Sequence, residues 1–118
     1  MPGRRALAPM LVLAALALAA CGGGDGGGGG PPGRQVVDQG DPAAGREVFA
    51  DNCAACHGGD GGGGTGPRLA GEDALTDADL VVRQIREGGG GMPDFADRLS
   101  DQELADVSAF VVRELAAK

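Results

Sequence analysis

The chain has 118 residues, the length of one domain, and carries 17 acidic against 10 basic side chains, a formal net charge of −7. Such a charge repels nucleic acid and anionic membrane surfaces, which excludes both as partners recognised by charge. Three phenylalanines are the only aromatics, with no Trp or Tyr, so a bound group is expected to help fill the core.

The first segment reads as processing signal rather than structure. Arg4 and Arg5 form a short basic start, and the 15 apolar residues 6–20 fall short of the roughly 18 that a membrane-spanning helix needs. Leu18-Ala19-Ala20-Cys21 resembles the lipobox of bacterial lipoproteins, in which the cysteine is acylated and becomes the first residue after cleavage; the competing reading is an ordinary signal peptide with Cys21 incidental. Loss of Arg4 and Arg5 leaves eight basic against 17 acidic residues, a net of −9, which suits solubility or docking to a basic face. Nine of the twelve residues 22–33 are glycine, a composition that buries no core. The expected layout is a signal peptide over 1–20, a lipidated Cys21 with a flexible tether over 21–40 spanning about 25 Å, and a folded domain over 41–118.

Within that domain the signals are those of short helices. Asp41-Pro42 makes an N-cap and first-turn pair, and Gly45, Val48 and Phe49 share one side of a helix ending near Asn52. A second helix is expected after Thr76, with Asp77 and Asp79 in its first turn, Leu80, Val81 and Ile85 facing inward, and Gly88 as the stop. Ser100-x-x-Glu103 is a capping box that opens a third helix bearing Leu104, Val107, Phe110, Val111 and Leu115 at helical spacing. No alternating strand pattern competes. The fold class is all-α, three main helices joined by glycine-rich loops over 58–66 and 88–91.

Cys53-Ala54-Ala55-Cys56-His57 is the C-x-x-C-H pattern of c-type haem attachment. Two thiols at this spacing add to the two vinyl groups of one haem, and the adjacent imidazole reaches the iron. A thioredoxin-like pair wants a βαβ setting and has no use for the histidine. Structural zinc wants four ligands where Cys53, Cys56 and His57 give three, and a Cys53–Cys56 disulfide would close a very small loop. The sixth iron ligand follows by elimination. Without its signal the chain keeps one histidine, His57, and one methionine, Met92, while Lys118, the only lysine, ends the chain. Met92 lies 35 residues after His57, between the glycine run and Pro93, which stiffens the backbone beyond it. The alternative for Met92 is a gap-filling core side chain.

Taken together, Gly45 with Phe49, Cys53-x-x-Cys56-His57, Gly66-Pro67 with Leu69, Gly91-Met92-Pro93 and the closing helix with Phe110 resemble the class I cytochrome c domain over 41–118. The resemblance implies a small cytochrome c fold around one covalently bound haem c. It implies that the carbonyl of Pro67 accepts from the second ring nitrogen of His57 and fixes its tautomer, and that the first and last helices cross at Gly45 against the Phe110 face. The glycine content of the loop after His57, and Phe110 where a hydroxyl-bearing aromatic or an indole is frequent, depart from the family pattern.

With His57 and Met92 both on the iron, no position is left for substrate, and the expected function is one-electron transfer in an extracytoplasmic chain rather than catalysis. Expected partners are a redox protein donor and acceptor and, through lipid on Cys21, the membrane, with no small-molecule substrate. The alternative is a haem enzyme or gas sensor with an open sixth position.

Overall fold

The computed structural model describes residues 31–118. The expected export signal and residues 21–30 of the expected tether, Cys21 among them, lie outside the described residues. The described residues fold as helices: α1 (Gly33–Asp38), α2 (Pro42–Asn52), α3 (Ala54–His57), a single 3₁₀ turn (Asp73–Thr76), α4 (Ala78–Glu87) and α5 (Asp101–Phe110), closed by a wide turn over Val111–Leu115. The one β-type pairing among them is an isolated bridge between Gly89 and Met92. None of these helices is long and apolar enough to cross a membrane.

The three expected helices form where their caps place them. Asp41 accepts from the Ala43 amide at 2.9 Å and so starts α2. Asp77 accepts from Asp79 and Leu80 and starts α4. Ser100 and Glu103 complete the reciprocal box at the head of α5, each bond 3.0 Å long. These side chains satisfy amides that a helix start leaves without partners. The α5 pattern changes after Phe110, where the Ala116 amide reaches back five residues to the Val111 carbonyl. This wide turn seats Leu115 fully in the core, and the Leu115 carbonyl accepts from the Gly71 amide at 2.9 Å.

The tether boundary at residue 40 is corrected. Residues 33–38, read from composition as part of a flexible coil, form α1. Val36 and Val37 are buried against Val82 of α4 and Ala105 and Ala109 of α5, a small apolar cluster separate from the main one. Three polar contacts fix the segment: the Gly33 amide to Asp79, Arg113 to Asp38, and Gln102 to the Gln39 carbonyl. The two valines stand just beyond the glycine run, and only a helical turn brings both to the α4 and α5 surface.

The main core gathers Phe49, Val81, Ile85, Phe95, Leu99, Leu104, Val107, Phe110, Val111 and Leu115. At its base α2 crosses α5 with almost no gap. A Cβ at Gly45 would collide with the Asp106 carbonyl and press on the Phe110 side chain, and one at Gly40 would collide with the Ala105 carbonyl. Glycine at the crossing lets Phe49 and Phe110 meet at 5.4 Å with their rings tilted by 59°, a favourable aromatic arrangement. Asp106, itself buried, ties the same crossing by accepting from the Asp41 amide and from Gln102.

Candidate functional site

Between α2, α4 and α5 lies a cavity in two lobes of about 320 and 230 Å³. Cys53, His57, Pro67, Gly90 and Met92 line both. Together the lobes have the size of a cofactor site, roughly 300–1,000 Å³. The larger lobe is walled mainly by apolar side chains, among them Phe49, Leu69, Leu80, Val81, Ile85 and Val107. The smaller is reached past Asn52, Cys56, Thr65 and Pro93.

Each element delivers one group to this space. The Cys53 amide closes α2 on the Phe49 carbonyl, and the single turn of α3 carries the chain to His57, whose amide bonds the Cys53 carbonyl at 3.0 Å. The two cysteines therefore project from one turn: Cys53 is buried, Cys56 exposed, and both are free thiols. Burial, and secondarily the nearby Cys56, pushes the Cys53 thiol up from 9.0 to about 11, because a thiolate loses its hydration in an apolar wall.

His57 is held from the loop that follows. The Gly63 amide bonds the His57 carbonyl and the Gly66 amide bonds the Cys56 carbonyl, each at 2.7 Å, while Leu69 and Ala70 both bond the Gly61 carbonyl. This lacing brings the loop down over the imidazole, so that a Cβ at Gly66 would stand 3.1 Å from the ring. The Pro67 carbonyl then lies 2.8 Å from His57 Nδ1. A carbonyl only accepts, so Nδ1 carries the proton and Nε2 keeps its lone pair for a metal. Met92 enters from the other end of the fold, half-buried, on a turn closed by two hydrogen bonds between Gly89 and Met92.

The donor set fits haem c: paired thiols on one turn, an imidazole with its tautomer fixed, a thioether and an apolar slot between them. It does not fit the competing metal reading, since no group of three or more His, Cys, Asp or Glu side chains is assembled among the described residues. Of the residues singled out from sequence, Cys53, Cys56, His57, Pro67 and Met92 come together, and Cys21 lies outside the described residues. Sequence reasoning missed Gln84, whose amide stands 3.7 Å from Met92 Sδ. Its signal was a polar residue four after Leu80 and three after Val81, at the exposed edge of the stripe that faces the cavity.

Residues 40–111 match the family described as cytochrome c oxidase, cbb3-type, subunit III. The chain belongs to that family of c-type cytochromes. Cytochrome c6 of Leptolyngbya boryana is 40% identical over 77 residues, which cover 61% of this chain and 91% of the relative. Cytochrome c6 of Parathermosynechococcus lividus is 37% identical over 81 residues, 64% of this chain and 93% of the relative. The solved structure of cytochrome c6 from the diatom Phaeodactylum tricornutum superposes with a TM-score of 0.54 at 36% identity, covering 66% of this chain and 98% of that one. This cytochrome is accordingly a class I, monohaem electron carrier with one covalently bound haem c, and its fold is the small cytochrome c fold expected from sequence.

Proposed function

We propose that the haem of this cytochrome is attached by thioethers at Cys53 and Cys56 and ligated by His57 and Met92, and that it passes single electrons between protein partners outside the cytoplasm, without catalysing a reaction of its own. In this reading lipid on Cys21 holds the chain at the membrane. The observation that carries it is the joint presence of His57 and Met92 on both lobes of one apolar cavity beside Cys53.

Bound there, haem supplies one-electron ferrous–ferric chemistry. The residues set how readily that happens. The Met92 thioether favours the ferrous state, and the apolar wall of Phe49, Val81, Ile85 and Val107 penalises the added charge of the ferric state, so both raise the potential. Pro67 keeps His57 in the ligating tautomer through each cycle, and the laced loop over 58–70 limits reorganisation. At the mouth of the smaller lobe, Cys56, Thr65, Gly66 and Pro93 are uncharged, and a partner can approach closely with little desolvation of charge. The acidic balance of the whole chain favours a partner with a basic docking face.

The deciding experiment is an optical spectrum of the exported protein, oxidised and reduced, that includes the weak far-red band of methionine sulfur on ferric haem. Covalent haem with that band is the expected result. Haem without the band removes Met92 from the iron. Met92→Ala is expected to keep the haem covalently attached and to lose the band; a band that survives the substitution refutes the assignment.

A further inference from the structure

The carbonyl that fixes the tautomer of His57 belongs to an exposed residue, for Thr65, Pro67 and Arg68 all face solvent. Burial of Pro67 itself therefore does not hold that carbonyl on the imidazole, and its place rests on how the rest of the loop is seated. The seat lies at Gly61, which is buried. The Gly61 carbonyl accepts from the amides of Leu69 at 2.8 Å and Ala70 at 3.0 Å, so the two ends of the stretch that carries Pro67 meet there. Leu115 touches both sides of this junction. Its Cδ2 and Cδ1 lie 3.2 and 3.3 Å from where a Cβ of Gly61 would stand. Its carbonyl, one of those that a helix end leaves without an α-helical partner, accepts from the Gly71 amide at 2.9 Å. Leu115 is fully buried, yet it lines neither lobe of the cavity. The turn that presents it is wide, with the Ala116 amide bonding the Val111 carbonyl, and the extra residue changes the direction in which position 115 points relative to an unbroken α-helix.

We propose that Leu115 is a positioning residue for the axial histidine: it seats the loop over 58–71, which holds the Pro67 carbonyl on His57 Nδ1 and so sets how strongly Nε2 donates to iron. This rests on the reading of His57 as axial ligand. The contacts are continuous, from Leu115 to Gly61, from Gly61 to Leu69 and Ala70, and from Pro67, two residues before Leu69, to Nδ1 at 2.8 Å. The Gly63 and Gly66 amides tie the loop to the attachment turn itself, and Leu115 ties it to the helical body. A short bond from Nδ1–H to the carbonyl leaves the ring richer in electrons and raises the basicity of the ligating nitrogen. That richer ring favours the ferric state. A bond loosened by an unseated loop favours the ferrous state and raises the potential. Because Leu115 is absent from the cavity wall, its influence on the potential has to pass through the loop.

The test uses the full-length ferric holoprotein and reads the ring protons of His57 by NMR, where iron displaces the signals of a bound imidazole, together with the reduction potential. Leu115→Val, a truncation by one methylene, is expected to speed exchange of the His57 Nδ1 proton with water about fivefold, the size of one net hydrogen bond, and to raise the potential. Leu115→Ala is expected to move both further in the same direction, and Leu115→Met, which keeps a long apolar side chain, to restore both. Val82→Ala is the comparison. Val82 is as buried as a core residue can be, at 2% exposed, its truncation removes more carbon than Leu115→Val does, and it packs toward α1 rather than the loop. It is expected to leave the exchange rate and the potential unchanged. Exchange sped as much by Val82→Ala as by Leu115→Val would trace the effect to general loss of stability and overturn the positioning role. Exchange and potential unaltered in both Leu115→Val and Leu115→Ala overturn it too, and leave His57 on the iron. A potential that falls marks water entering the fold and overturns it likewise. Undisplaced His57 signals in the unsubstituted protein remove the histidine from the iron, and this role with it.

Discussion

Cys53 and Cys56 stand three residues apart and meet different surroundings, one in the cavity wall and one at its mouth. In haem-free protein this difference has a sign that can be measured. The raised Cys53 value means that the folded state holds its proton longer than the unfolded chain does, so the stabilisation is complete below pH 9 and is lost as pH rises through about 11. Stability of the haem-free form against denaturant is therefore expected to weaken by roughly 2 kcal/mol across that window, a titration expected to vanish in the holoprotein, where the proposed thioether at Cys53 replaces the thiol. A midpoint that does not move with pH would show that Cys53 is not buried before attachment. Ser108 gives a second case. Its hydroxyl is the buried side-chain polar atom left without a partner among the described residues, and its hydration is lost with nothing in return. Ser108→Ala is expected to raise stability by about 1 kcal/mol, read as a higher unfolding midpoint. Gly45→Ala acts oppositely, since its methyl would meet the Asp106 carbonyl, and is expected to cost about 2 kcal/mol or more.

Among the elements, the caps and the added helix carry separable contributions. Loss of the Ser100 hydroxyl removes the side-chain arm of the box at α5, and Ser100→Ala is expected to lower stability by about 1 kcal/mol without altering the haem spectrum, because α5 reaches the cavity a turn or more later at Val107. Helix α1 packs on residues of α4 and α5 other than the ones that line the cavity: Val82 rather than Val81 and Ile85, Ala105 and Ala109 rather than Val107. Val37→Asp is accordingly expected to undock α1, with a loss of roughly 2 kcal/mol and faster hydrogen exchange at residues 33–38, while the far-red band persists. A band lost together with α1 would mean that the helix supports the site directly. The wide turn over Val111–Leu115 shows an element acting at a distance, for it lowers Leu115 under the loop that presents Pro67. Helical periodicity alone gives no sign of this turn, since a π-type bond and an α-type bond leave nearly the same spacing of apolar residues.

For the molecule as a whole, two proposals are open to test: docking through the acidic balance of the chain and attachment to the membrane through Cys21. Electron transfer to a partner with a basic face is expected to slow as ionic strength rises past the point where the Debye length falls below about 10 Å, measured as a bimolecular rate; a rate indifferent to salt would leave the charge as a solvated surface. Cys21→Ser is expected to release a haem-loaded protein from the membrane fraction, and retention would refute the lipid anchor. The sequence by itself determined the three capped helices and the attachment motif, and it singled out Met92, which the structure brings to the same cavity as His57, because caps, ligand types and residue counts are local properties. Composition misjudged residues 33–38, since two valines beyond a glycine run acquire meaning only when α4 and α5 supply the surface that buries them. The tertiary structure alone decided that the glycine-rich loop after His57 is laced rather than loose, that its Pro67 carbonyl lies on Nδ1, and that Gln84 faces Met92. Each of these depends on groups distant in the chain meeting at hydrogen-bond range, which packing settles and local spacing does not.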